Sequence, residues 1–321
     1  MADYADAKVL FDRGILFREL GEITKNAPKL RPLWGNYFFR QAVTTAIGDP
    51  GVSKTTFTYE MLTRITEGKS FLNIVPTEEV IAVELDYESG DSLIAVRSDR
   101  LGISEDKHFK NLRIFNYGEF SVEILVPLLK EFHKQFPFNL LVIDNQLTAF
   151  NTHDENDNAE ASTKIKLVRK LAIELDCAIV VFHHPSKANQ DGTRKGSGAF
   201  AWSRHADICL NFNTTTEEGV VEIDIVKNRI VEDKTPLYYR LMGEGKFDIS
   251  DAPTGSKRTA TQIDNVQRCI LEQHGQWERG ELVKVVEKIT GESTSLIDKG
   301  LRTLKYSGRI KSPIWGRYNV P

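Results

Sequence analysis

Residues 48–56 read GDPGVSKTT, one residue away from the phosphate-binding loop pattern G-x-x-x-x-G-K-[ST]. Ser53 stands where the pattern has its second glycine, directly before Lys54 and Thr55. The apolar run AVTTAIG (42–48) precedes the motif, and a helical periodicity over 54–68 follows it, so the nine residues fall at a strand-to-helix turn. A turn of that kind aims successive backbone N–H groups into one concavity, and the helix adds its N-terminal partial positive charge. Gly48, Asp49, Pro50, Gly51, Val52, Ser53, Lys54, Thr55 and Thr56 are therefore the candidate nucleotide-binding residues. Lys54 suits the β- and γ-phosphates, and the Thr55 hydroxyl suits Mg²⁺. Ser53 has two readings. If its position needs φ > 0, or if its Cβ blocks the phosphate, the loop is impaired. If it starts the helix with ordinary dihedrals, serine is well suited there and adds a hydroxyl donor.

Outward from the motif, apolar runs alternate with amphipathic ones. Strands are predicted at 42–48, 80–86, 112–117, 139–144, 177–184 and 206–212, and helices at 54–68, 90–101, 121–135 and 158–175. Short apolar strands separated by amphipathic helices predict an α/β fold with a mainly parallel sheet covered on both faces. Two further strands, VVEIDIVKN (220–228) and PLYYRLM (236–242), alternate in polarity as half-exposed antiparallel strands do. Residues 1–30 read as an N-terminal helical segment, with VLFDRGILFRELGEI as its amphipathic stretch, and 31–249 read as the core. Polar, aperiodic 250–262 reads as a linker. In 263–321, helices fit 263–274, 279–290 and 293–306, and RIKSPIWGRYNV follows as two short strands. Three helices and a hairpin match a winged helix-turn-helix.

The net charge of −3 places no strong field over the 321-residue chain, so a nucleic-acid partner would need local basic patches. Cys177, Cys209 and Cys269 are far apart and form no C-x-x-C, which argues against a zinc knuckle or a disulfide framework. The start, MADYADAKVL, lacks the basic and apolar regions of a signal peptide, and no long apolar run spans a membrane. A cytoplasmic location and no membrane partner are expected.

Candidate chemistry gathers at strand ends. Asp144 closes LLVID and is placed to hold Mg²⁺, with a turn-capping aspartate as the bland alternative. Glu88, just past VIAVELD, can polarise an attacking water. Glu84 and Asp86 are alternatives on one strand face. His183 and His184 are adjacent on a strand and point to opposite faces, so they cannot chelate one ion. One of them facing the γ-phosphate is the better reading.

Taken together, GDPGVSKTTF, LDYES (85–89), LLVIDNQLTAF (140–150), DENDNAEA (154–161), VVFHHPSK (180–187), RKGSGAFAWSRHAD (194–207) and KNR (227–229) resemble the RecA-like P-loop ATPases, most closely the RepA-type replicative helicases. The resemblance covers roughly residues 30–245. It implies that Lys54 and Thr55 bind ATP–Mg²⁺, that Asp144 is the acidic metal ligand, and that Glu88 is the catalytic carboxylate. It also implies that the histidine pair, His184 included, couples the γ-phosphate to DNA, and that subunits form rings, often hexamers. Arg229 would then be an arginine finger into the neighbouring site, with Lys227 as its helper. Two positions depart from the family pattern: Ser53, and the IVEDK that follows KNR in place of a glycine-bearing turn.

The loop PSKANQDGTRKGSGAF (185–200) carries Lys187, Arg194 and Lys195 among small residues, and by the same resemblance faces single-stranded DNA. Phe200 and Trp202 are the nearby aromatics, for base stacking or for the core. In the C-terminal unit, Lys299, Arg302 and Lys305 on the third helix, with Arg309, Lys311 and Arg317 after it, form a stripe that suits duplex phosphates. A protein-docking face is the plainer alternative. Two functions lead, an ATP-driven DNA motor or helicase of plasmid, phage or mobile-element replication, and an ATP-switched DNA-binding regulator or loader with slow turnover; a recombinase-like filament former ranks below them, for want of an obvious polymerisation segment before the core.

Overall fold

The computed structural model describes residues 4–13, 17–27, 29–48, 52–103, 108–151, 157–183, 199–215, 217–242, 246–251, 266–291, 294–306, 309–311 and 317–320. Helices α1 (Tyr4–Asp12) and α2 (Leu20–Asn26) come first, followed by a small antiparallel pair, β1 (Pro32–Trp34) and β2 (Phe38–Phe39). The core then alternates β3 (Val43–Gly48), α3 (Lys54–Ile65), β4 (Ala82–Asp86), α4 (Asp91–Arg100), β5 (Leu112–Phe115), α5 (Val122–Gln135) and β6 (Leu140–Asp144). A short α6 (Gln146–Ala149), α7 (Asn158–Glu174), β7 (Ala178–His183), α8 (Ala199–His205) and β8 (Ile208–Thr214) follow. Strands β9 (Val220–Asn228), β10 (Leu237–Met242) and β11 (Lys246–Ile249) complete it.

These strands form one nine-stranded sheet in the order β11-β10-β9-β8-β3-β7-β6-β4-β5. The ladders from β8 through β5 are all parallel, and β9, β10 and β11 extend the sheet antiparallel. Side chains alternate between faces, so each apolar run feeds two cores. In β6, Leu140 and Val142 join one cluster, and Leu141 and Ile143 the other. Helix α3 packs Phe57, Met61, Leu62 and Ile65 into the first cluster, while α5 and α7 pack Leu125, Leu129, Ile165, Val168 and Leu171 into the second. Covering both faces explains why β3, β4, β6 and β7 are buried along their whole length. Phe57 is a hub: its ring centroid lies 5.0 Å from Phe71, 5.3 Å from Phe212, 5.0 Å from Tyr239 and 5.7 Å from Phe247. Cys177 and Cys209 are core residues, as their apolar surroundings predict.

The C-terminal residues form their own apolar cluster. Residues 266–272 are helical (α9), followed by β12 (Gly275–Glu278), α10 (Arg279–Thr290), α11 (Thr294–Tyr306) and β13 (Arg317–Val320). Val266, Ile270, Leu282, Val286, Ile297, Leu301 and Leu304 fill this cluster. Gly300 permits the close approach, since a Cβ there would lie 2.9 Å from Val266 Cγ1. Of the expected tail hairpin, the antiparallel bridge Lys311↔Asn319 lies among the described residues, and β13 also pairs with β12, from Gly275↔Val320 to Glu278↔Arg317, a strand the sequence analysis did not name. The strand over 275–278 carries no alternation that would have marked it. Most of the expected linker, 252–262, lies outside the described residues. Among the described residues, no helix is long and apolar enough to cross a membrane.

Candidate nucleotide site

The motif occupies the C-terminal end of β3, at the carboxyl edge of the parallel strands, where open α/β sheets bind ligands. Asp49, Pro50 and Gly51 lie outside the described residues. Gly48 has no room for a side chain, because a Cβ would meet Phe212 Cβ at 2.8 Å and the Phe212 carbonyl at 3.2 Å. Val52 is buried, and its carbonyl accepts from the Tyr239 hydroxyl at 3.3 Å. Ser53 is the N-cap of α3 with φ 58° and ψ 29°, and its side chain makes no cap hydrogen bond. The ordinary-dihedral reading of Ser53 is therefore corrected: the position takes the left-handed conformation that glycine tolerates and serine adopts at a cost of about 1–2 kcal/mol.

Lys54 is buried and donates to the Gly48 carbonyl at 2.6 Å, so its ammonium lies back along the loop. Thr55 Oγ1 donates to Asp144 Oδ2 at 2.9 Å, and Thr56 is half-buried beside it. A hydroxyl and a carboxylate side by side are oxygen donors of the kind a hard cation such as Mg²⁺ prefers, and the nearby ammonium suits phosphate charge, so these residues fit a metal–nucleotide ligand. Asp144 is 2% exposed, and its pKa is pushed up to about 6. Burial is the main cause, the neighbouring Glu88 carboxylate adds to it, and the Thr55 hydrogen bond and Lys54 oppose it.

Strand β4 brings the ELDYES acids beside Asp144, with Asp86 in register with it and the Tyr87 amide donating to the Asp144 carbonyl at 2.7 Å. The three acids separate cleanly. Glu84 is fully buried, and its oxygens have no hydrogen-bond partner among the described residues. Burial, Asp86 and Asp144 push its pKa well up, which favours the neutral acid. Asp86 is buried and occupied: it accepts from the Glu88 and Ser89 amides at 2.9 and 2.8 Å and from the Tyr59 hydroxyl at 2.9 Å, with Arg97 at 3.7 Å. Glu88 alone is exposed, and its Oε1 accepts from Asn145 Nδ2. Sequence reasoning missed Asn145, which follows Asp144 and caps α6. The available signal was an Asx residue between a strand and a helical turn.

His183 is buried at the end of β7, its ring 6.5 Å from that of Trp202. His184 lies outside the described residues, as do Lys187, Arg194 and Lys195. Trp202 is wholly buried, which makes it core rather than a stacking platform. In the acidic loop, Asp157 caps α7, accepting from the Ala159 and Glu160 amides at 2.7 and 3.2 Å. Lys227 Nζ donates to the carbonyls of Ser203, Arg204 and Ala206 at 2.7, 2.9 and 2.7 Å, around the C-terminal end of α8. Burial holds its pKa below the usual lysine value. Arg229 is exposed and donates to the same Arg204 carbonyl at 2.8 Å. The structure thus joins both KNR cations to their own chain. In the C-terminal unit, Lys305, Arg309 and Lys311 are exposed, and the side chains of Lys299, Arg302 and Arg317 lie outside the described set.

The fold has solved counterparts. A KaiC-like protein, PH0186 from the hyperthermophilic archaeon Pyrococcus horikoshii OT3, superposes with a TM-score of 0.51 at 16% identity, covering 68% of this chain and 94% of that one. The crystal structure of the RadB recombinase gives 0.48 at 14% identity, covering 67% and 93%. No curated protein matches the sequence. The model of AAA_25, an AAA domain family, matches residues 15–190, which is more than half of the chain. With a mainly parallel sheet and a phosphate-loop motif at its carboxyl edge, the chain belongs to the AAA_25 family.

Proposed function

We propose that the protein is an ATP-dependent DNA motor, a helicase of plasmid, phage or mobile-element replication, that hydrolyses ATP between the subunits of a ring, most simply a hexamer. The observation that carries the ATPase part is the cluster of Lys54, the Thr55–Asp144 pair and exposed Glu88 at one sheet edge. Lys54 binds and orients the phosphates, and Thr55 and Asp144 hold Mg²⁺. When bound, Mg²⁺ neutralises phosphate charge. Glu88 takes a proton from the attacking water as its oxygen bonds to the γ-phosphorus and the bridging oxygen leaves with ADP. His184 senses the γ-phosphate. Arg229 of a neighbouring copy, helped by Lys227, stabilises the developing charge.

Single-stranded DNA is assigned to Lys187, Arg194 and Lys195. Duplex DNA is assigned to Lys299, Arg302, Lys305 and Arg317, on a C-terminal unit read as a winged helix. An independent small core and exposed Lys305, Arg309 and Lys311 support that reading. The test is ATP hydrolysis with and without single-stranded DNA over a salt series, followed by strand displacement. Stimulation that fades with salt and is lost in Lys54→Ala is expected. ATPase activity without unwinding would remove the motor. Left-handed Ser53 favours the second reading, an ATP-switched DNA-binding regulator or loader with slow turnover.

A further inference from the structure

We infer that Asn145 is the positioning residue for Glu88, fixing where its carboxylate meets the attacking water. The inference rests on the ATPase reading. Asn145 is 5% exposed, at the tip of β6 directly after Asp144. Its Oδ1 accepts from the Leu147 and Thr148 amides at 3.0 and 3.3 Å. With the oxygen committed to the start of α6, the amide can be oriented in only one way, and its NH₂ must face the opposite side. There it donates to Glu88 Oε1.

The Glu88 backbone is held separately, its amide donating to Asp86 Oδ1 at 2.9 Å. A charge-assisted hydrogen bond from a buried, pre-oriented donor selects among the rotamers open to a solvent-facing glutamate. Position 145 also needs to be neutral. Glu88 already raises the pKa of Asp144, and a third carboxylate between them would repel both. An amide caps α6 with its oxygen while a separate atom, the nitrogen, reaches this carboxylate as a proton donor.

The experiment compares the full-length wild type with Asn145→Asp and Asn145→Ser. Thermal melting, binding of a fluorescent ATP analogue, kcat, KM and the pH profile of kcat are read for each. Both replacements retain a capping oxygen for Leu147 and Thr148; ionised Asp has no proton to donate, and the Ser hydroxyl sits one bond short of the amide nitrogen that reaches Glu88. Expected for the Ser variant are near-wild-type melting and analogue binding, unchanged KM, and kcat lower by about 10–100-fold, the scale of a misplaced catalytic group; the Asp variant should lose kcat likewise and melt lower, because its carboxylate crowds Asp144 and Glu88. The acid limb of kcat should move up by about one pH unit, because Glu88 without its donor binds a proton more tightly. A purely structural role for Asn145 would shift melting and leave that limb in place. If charge crowding unfolds the Asp variant, the uncharged Ser variant decides. Wild-type kcat and an unmoved limb in a folded variant would overturn the inference while leaving the ATPase standing. Absence of Lys54-dependent turnover in the unmutated chain would instead overturn the ATPase reading and this inference with it.

Discussion

Replacing Asp144 with asparagine should make the nucleotide-free protein more stable while abolishing hydrolysis. Asp144 titrates at about 6 instead of 3.8. Its folded-state pKa lies above the unfolded value, so the folded chain binds this proton more tightly than the unfolded one. Stability from the site is therefore full below pH 3.8 and is lost as pH rises through about 6. At about 1.36 kcal/mol per unit, ionised Asp144 costs the fold roughly 3 kcal/mol near neutral pH. Asparagine removes that cost and keeps an oxygen for the Thr55 hydroxyl, and the attraction of Lys54 that it forgoes is already counted in the shift. A gain of about 3 kcal/mol is expected, a rise in Tm of roughly 6–12 °C for a domain of this size. Thermal melts at pH 7.5 without nucleotide measure it, and the gain should shrink by about half at pH 5, where the wild-type carboxylate is mostly protonated. Added Mg²⁺–ATP should raise the wild-type Tm and leave that of the variant nearly unchanged. A variant less stable than wild type at pH 7.5, or a gain independent of pH, would refute the claim that buried charge at Asp144 opposes folding.

Two further outcomes follow from particular contacts. Ser53→Gly relieves the left-handed backbone and should stabilise by about 0.5–1 kcal/mol in denaturant melts, because the strain removed exceeds the entropy glycine adds. Faster turnover in the same variant would show that serine also slows the chemistry. Lys227→Met keeps the stem but removes three hydrogen bonds to the end of α8, so a loss of about 2–3 kcal/mol is expected, with increased amide exchange confined mostly to α8 and the start of β8. Unchanged protection of α8 would show that the lysine does not hold that helix.

The parallel part of the fold was legible because its signal is composition. LLVID and AIVVFH are continuous apolar runs, as strands buried on both faces must be. VVEIDIVKN alternates, and its burial alternates with it. Elements too short for a period escaped: β1, β2, α6 and the four-residue β11. That Lys54, Thr55 and Asp144 would come together was legible from the motif and the strand ends, but the difference among Glu84, Asp86 and Glu88 was not. It depends on burial, which follows from α3 and α4 lying over the strand, as Tyr59 and Arg97 show. Asn145 was invisible for a similar reason. Its partner Glu88 is distant in sequence and comes near only through the register that aligns Asp86 with Asp144. The conformation of Ser53 is a backbone property, on which a one-letter motif is silent.

The place of β3 in the sheet sets a timetable for biosynthesis. This strand ends at residue 48, yet its two ladder partners begin at residues 178 and 208. A nascent chain therefore carries the phosphate-loop sequence long before anything can fix its shape, and contacts this distant in sequence close slowly. Helix α3 waits longer still, since the Phe247 amide that donates to Glu60 at 2.7 Å and the Phe247 ring against Phe57 emerge near the end of the sheet. On the proposed reading, nucleotide binding would report completed synthesis: polypeptides interrupted before β8 carry the motif and should be unable to bind ATP.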